Sequence, residues 1–134
     1  MKKFFSVLLA ASLFVSCSKS SDSSSNSKKD IEQILQSHDW KLTSIKDKGV
    51  EMQVACGKDD IIKFQSGGVY TQDKGAIKCG ATDPNHTGSW SISDDGKKFS
   101  WDGISTEINS ISSTKIVSTW KDVGTEREFV LEKF

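Results

Sequence analysis

From His38 to the C-terminus, apolar and polar residues alternate with a period of two, and turn-forming residues interrupt the pattern at short intervals. Trp40-Lys41-Leu42-Thr43 begins the pattern and Lys48-Gly49 marks the first turn. Ile62 to Gln65 and Val69 to Thr71 flank Ser66-Gly67-Gly68, a hairpin signal. Gly88 to Ser93 runs into Asp94-Asp95-Gly96, and Lys98 to Trp101 into Asp102-Gly103. Thr106 to Ile111 breaks at Ser112-Ser113, Lys115 to Trp120 ends before Asp122-Val123-Gly124, and Glu126 to Lys133 closes the series. Successive side chains of a strand point to opposite faces, so each run buries one face and wets the other. This predicts about eight short strands joined by tight turns. A single open sheet of that kind would leave its edges unpaired, so the expected fold is all-β, a small antiparallel meander barrel. No strand–helix–strand alternation interrupts it.

Residues 1–28 follow other rules. Met1-Lys2-Lys3 is a cationic start, and Phe4 to Val15 is an uncharged, mostly apolar run. Twelve residues are too few to cross a hydrocarbon core of roughly 30 Å as a helix, but they suit the core of an export signal. Phe14-Val15-Ser16-Cys17 resembles a lipobox, in which a small residue precedes a cysteine that becomes lipid-modified and N-terminal. Ser18 to Ser27 holds no apolar residue to offset the entropy of ordering. It reads as a flexible tether with a reach of about 17 Å. The expected organisation is a signal peptide over 1–16, a lipidated cysteine and tether over 17–28, and the barrel domain over 29–134. Within the last, Ile31, Ile34 and Leu35 sit at helical spacing, with Asp30 and Glu32 near the positive end of the helix dipole. This predicts a short helix over 28–37 that lies on the domain as a lid or plug.

The three cysteines agree with export. Cys56 and Cys79 can pair inside the domain, which leaves Cys17 over for acylation. A Cys56–Cys79 bond would close a loop worth roughly 3–4 kcal/mol. A metal or redox pair is the rival, but neither cysteine belongs to a CxxC and neither has a histidine close by in sequence.

Several of these segments together resemble a family. They are Leu35 with Asp39 to Ile45, Cys56 with Asp59-Asp60, the Phe64 to Tyr70 hairpin, Cys79, and Gly88 to Ile92 running into Asp95-Gly96-Lys97. In this the chain is similar to the lipocalin-like domains found in lipoproteins of Bacteroidetes, over roughly Ile31 to Phe134. The resemblance implies a lipocalin-like barrel on a lipid anchor, in the cell envelope and on the outer membrane, with its role in most members unknown.

Few residues suggest chemistry. Removing residues 1–16 takes away Lys2 and Lys3 and no acid, leaving 16 basic against 18 acidic side chains. That balance excludes the basic footprint of a nucleic-acid binder. His38 lies at the helix-to-strand joint and His86 in the Asp83 to Gly88 turn, and no serine stands in an activating motif, so no catalytic residue is expected. Asp83, Asn85, Thr87, Gly88 and Asp94 have the spacing of a calcium loop, but a strand follows where that motif needs a helix. No metal or cofactor is therefore expected.

Trp40, Phe64, Tyr70, Trp90, Trp101 and Trp120 are the candidates for lining a ligand cavity. The alternative is that they fill the barrel. The expected function is a non-enzymatic binder of a small apolar or amphipathic ligand, attached to a membrane through the lipid on Cys17. The alternative is a lipoprotein with a filled barrel that acts on a protein partner as accessory subunit or inhibitor. Replacement of Cys17 by Ala is expected to abolish incorporation of labelled palmitate into the chain in its host, and undiminished labelling would contradict the anchor.

Overall fold

The computed structural model describes residues 26–134. The signal peptide, Cys17 and most of the tether lie outside them.

Helix α1 (Lys28–Gln36) starts at Ser27, whose hydroxyl accepts a hydrogen bond from the backbone N–H of Asp30. The Asp30 carboxylate accepts in return from the Ser27 backbone N–H at 3.1 Å. Two donors that a helix start would leave unpaired are thereby satisfied. The strands are β1 (Asp39–Asp47), β2 (Val50–Glu51), β3 (Ile61–Gln65), β4 (Val69–Asp73), β5 (His86–Ile92), β6 (Lys98–Trp101), β7 (Ile104–Ile111), β8 (Lys115–Asp122) and β9 (Thr125–Lys133). A short second helix, α2 (Ala55–Lys58), lies between β2 and β3.

Each strand pairs antiparallel with its neighbour along the chain, except that β1 passes over the two-residue β2 to pair with β3. The last strand then returns to the first, from Trp40↔Lys133 to Asp47↔Arg127. That pairing closes eight strands into a barrel and leaves β2 as a flap on β1. The all-β antiparallel barrel read from the alternation is therefore the fold. The register shifts between Leu42 and Ser44 on β1 and between Ile108 and Ser110 on β7. Such bulges bend strands and help a small sheet to curl.

The two ends of the barrel differ. At one end lie α1, the β3–β4, β5–β6 and β7–β8 turns, and the C-terminus, where the Phe134 N–H bonds to the Asp39 carbonyl. Ile31 and Leu35 of α1 are each 1% exposed and pack into the cluster that holds Ile62, Phe64, Ile92, Ile116 and Leu131. Trp40 is fully buried beneath them, and its indole N–H donates to the Leu35 carbonyl at 2.9 Å. That carbonyl belongs to the last turn of α1 and would otherwise be an unpaired acceptor in an apolar setting. Trp40 thus fills the barrel floor and fastens the helix over it.

At the other end, the β4–β5 connection (residues 74–85) is long and without regular structure. Cys79 within it is bonded to Cys56 of α2, with Cα atoms 5.2 Å apart. Asp60, 1% exposed, accepts from Gln72 Nε2 at 2.7 Å, Lys74 Nζ at 2.9 Å and the Gly75 N–H at 3.1 Å. Lys74 also reaches Asp83 at 3.5 Å. A long loop is thus held to the rim by one covalent link and one buried carboxylate.

Leu35→Ala is expected to cost about 2–5 kcal/mol, since it empties the contact between plug and floor. Urea unfolding measures it, and a loss below about 1 kcal/mol would mean that α1 packs loosely. Cys56→Ala is expected to cost about 3 kcal/mol in non-reducing buffer. Wild type and variant should unfold together once reductant is present.

Candidate functional site

The disulfide-bonded end of the barrel opens into a cavity of about 220 Å³. Leu42 and Ile45 of β1, Ile62 of β3, Ile104 of β7 and Phe129 of β9 supply apolar walls. Tyr70 and Gln72 of β4, Trp101 of β6, and Asp102 complete the lining. Alternation explains the set, because Leu42, Ile62, Tyr70, Trp101 and Phe129 all stand on the inward face of their strands. Ligand sites are usually apolar with a few convergent polar groups, and this end has that composition.

The polar corner is built on a turn. Asp102 and Gly103 join β6 to β7 with φ of 46° and 80°, the left-handed pair that a two-residue hairpin requires. Aspartate tolerates that conformation better than most residues. The turn aims the Asp102 carboxylate back across β5. One oxygen accepts the Tyr70 hydroxyl at 2.6 Å and lies 2.9 Å from His86 Nε2, while the other accepts the Ser89 N–H at 3.1 Å. Gly88 faces Tyr70 across the β4–β5 pairing. A Cβ at this position would overlap both the carboxylate and the tyrosine ring, so the corner needs a glycine there.

The hydrogen bond from Tyr70 is the foremost reason that Asp102 is held below the usual carboxylate range, with further lowering from His86 and the Ser89 N–H. Burial pushes the Tyr70 phenol well above its ordinary value, and the bond to Asp102 and the carboxylate charge add to it. At neutral pH the corner is therefore a carboxylate held by a neutral phenol. Among the described residues no serine, threonine or cysteine side chain bonds to the His86 imidazole. The His86–Asp102–Tyr70 chain is thus a positioning network without an attached nucleophile.

The six aromatic candidates separate along the barrel axis. Trp40, Phe64 and Trp90 are buried at 0%, 4% and 6% exposure and fill the interior below the cavity. The Trp90 indole N–H is spent on the Gln65 and Val69 carbonyls. Phe64 touches Tyr70, Trp90 and Phe99 with ring centroids 5.5–6.0 Å apart. Tyr70 and Trp101 line the cavity, and the Trp101 ring meets that of Phe129 at 6.1 Å and 88°. Trp120 stands on β8 opposite Arg127, whose guanidinium is 5.8 Å from its ring centre, and it is not part of the lining. The aromatics therefore do both tasks, with filling below and lining above.

The family model of the lipocalin-like domain matches residues 37–118. The chain belongs to the lipocalin-like domain family. Among curated proteins, none matches it. The matched span runs from the start of β1 into β8, and it contains Tyr70, Gln72, His86, Trp101 and Asp102. In a lipocalin-like domain a cavity at one barrel mouth is where a small ligand would be sought.

The sequence does not single out Asp102 or Gln72, and His86 enters there only in the search for a catalytic residue. Asp102-Gly103 signals a turn, and His86 lies in an irregular stretch, so nothing local joins them. The register does, since Gln72 pairs with His86 and Trp90 with Trp101.

The pH dependence of folding follows from the two shifted groups. The Asp102 contribution is complete above the ordinary aspartate value and is lost as pH falls through its lowered folded value, below about pH 4. The Tyr70 contribution is complete below the ordinary tyrosine value and is lost as pH rises above about 10. Tyr70→Phe is expected to cost about 1 kcal/mol at pH 7, discounted because Asp102 is partly solvated. It should also flatten the alkaline loss of stability. Urea midpoints at neutral and alkaline pH would show this, and an unchanged alkaline slope would mean that Tyr70 is not the group responsible.

Proposed function

We propose that the chain is a lipid-anchored envelope protein whose barrel takes a small apolar or amphipathic ligand at its open mouth. The observation that carries this is the asymmetry of the barrel. At one end α1 and Trp40 fill the barrel, and the hollows beside them are grooves between the helix and the turns, while the other end opens into an apolar cavity with one hydrogen-bonded polar corner. A barrel that served only as a folded scaffold would gain stability by filling that end as well, since interiors pack to crystal-like density. About 220 Å³ is below the usual range for drug-sized ligands, so a small molecule or one end of a longer amphiphile fits.

The anchor rests on Cys17, left over once Cys56 and Cys79 are bonded inside the domain. Asn26 lies beside Gly96 of the β5–β6 turn, so the chain enters the domain at the sealed end. A tether on that side leaves the mouth at the end of the barrel far from the attachment.

Exposed apolar side chains at the open end favour the second reading, a protein-interaction role. Val50, Met52 and Val54 follow β1, and Val123, 99% exposed, sits at the tip of the β8–β9 turn. Native mass spectrometry separates the two. Residues 26–134 contain all nine strands, α1 and the disulfide, so this domain is exported in soluble form and examined without added ligand. The proposed function predicts an extra mass of up to a few hundred daltons that is lost on denaturation. A bare mass, together with a protein crosslinked to the full chain in cells, would favour the second reading.

A further inference from the structure

We infer that the mouth selects an organic cation, an ammonium group carried on a small apolar body, with Asp102 as its counter-charge and Tyr70 and Trp101 as the aromatic walls beside it. The inference rests on the mouth being a ligand site. Among the described residues, Asp102 is the one charged side chain in the cavity lining. A carboxylate offers about four acceptor positions. Tyr70, His86 and Ser89 occupy three, and with its side chain 41% exposed Asp102 still faces solvent.

The neighbouring polar groups point the same way. The Tyr70 hydroxyl hydrogen is committed to Asp102, so its oxygen offers a lone pair to the cavity. The Gln72 amide nitrogen donates to Asp60, and its carbonyl oxygen takes no hydrogen bond among the described residues. Lys74, two residues beyond Gln72, is held between Asp60 and Asp83. An anionic ligand would therefore meet a carboxylate and lone pairs, while a cation would meet acceptors.

The rings add a second, independent feature. Tyr70 and Trp101 lie 6.3 Å apart at 43°, and Trp101 and Phe129 are nearly perpendicular. Adjoining aromatic walls present negative faces to a cation, and they retain that attraction where water is thinned. The apolar body of the ligand would then lie against Leu42, Ile45 and Ile62.

Three probes that share a phenylethyl body test the charge preference: 2-phenylethylammonium, 2-phenylethanol and 3-phenylpropanoate. Calorimetric titration is made on the exported full chain in uncharged detergent micelles, with protein-free micelles as the blank. The ammonium is expected to bind at least about tenfold more tightly than the alcohol, and the carboxylate most weakly. Asp102→Asn keeps a residue suited to the left-handed turn. It should bring the ammonium to within about threefold of the alcohol. Equal binding of ammonium and alcohol by the wild type, or tighter binding of the carboxylate, would overturn the cation preference while leaving the mouth as a ligand site. Binding of none of the three would overturn the mouth as a ligand site as well. Because the wild-type ranking decides the charge question alone, a poorly folded variant does not obscure it.

Discussion

The pairing of β1 with β9 turns a meander into a barrel, and the rest of the molecule depends on that closure. Seven residue pairs from Trp40↔Lys133 to Asp47↔Arg127 satisfy two edges that would otherwise seek partners. Closure also creates an inside. Once the sheet returns on itself, inward residues from opposite strands converge, and the same alternation that hides Trp40 and Leu131 brings Leu42 and Phe129 to the mouth. The bulge at Thr43 separates the Leu42↔Leu131 pair from the Ile45↔Phe129 pair and adjusts the strand to the curvature.

Function enters through the difference between the two ends. The sealed end is held by hydrophobic burial of Ile31 and Leu35, together with one indole hydrogen bond to a helix-end carbonyl. The open end is held by other means: a disulfide, the buried Asp60 acting on three donors, and a tight turn that aims Asp102. Covalent and polar links hold a rim in place without filling the space it surrounds, which a hydrophobic plug would do. The Asp102-Gly103 turn therefore places a carboxylate, and that carboxylate gives the mouth its charge. Gly88 clears the space that this placement needs.

Much of the fold was legible in the residues. Glycine- and aspartate-bearing turns between period-two runs such as Gly88 to Ser93 and Lys115 to Trp120 mark strands because only a pleated strand places such alternation on two faces. The helix was legible from Ile31, Ile34 and Leu35, and the Cys56–Cys79 bond from cysteine count and export. The two-residue β2 gave no periodic signal and was not foreseen. The site was legible in part. The aromatics were visible as a group, but their division between core and mouth depends on depth along the barrel, which composition does not encode. The Asp102 corner was hidden because its partners are 32, 16 and 13 residues away and meet only through strand register. Cys17 and the signal lie outside the described residues, so the anchor stands on sequence alone.

One end of this lipocalin-like barrel is filled, and the other is proposed to receive a ligand. Titration of the exported protein with a neutral small amphiphile such as hexanol, followed through the indole N–H resonances of Trp40, Trp90, Trp101 and Trp120, tests it most directly. A saturable shift of Trp101 is expected, with Trp40 and Trp90 unmoved in the filled interior. A saturable shift at Trp40 or Trp90 with Trp101 unmoved, or no saturable shift at any of the four, would contradict it.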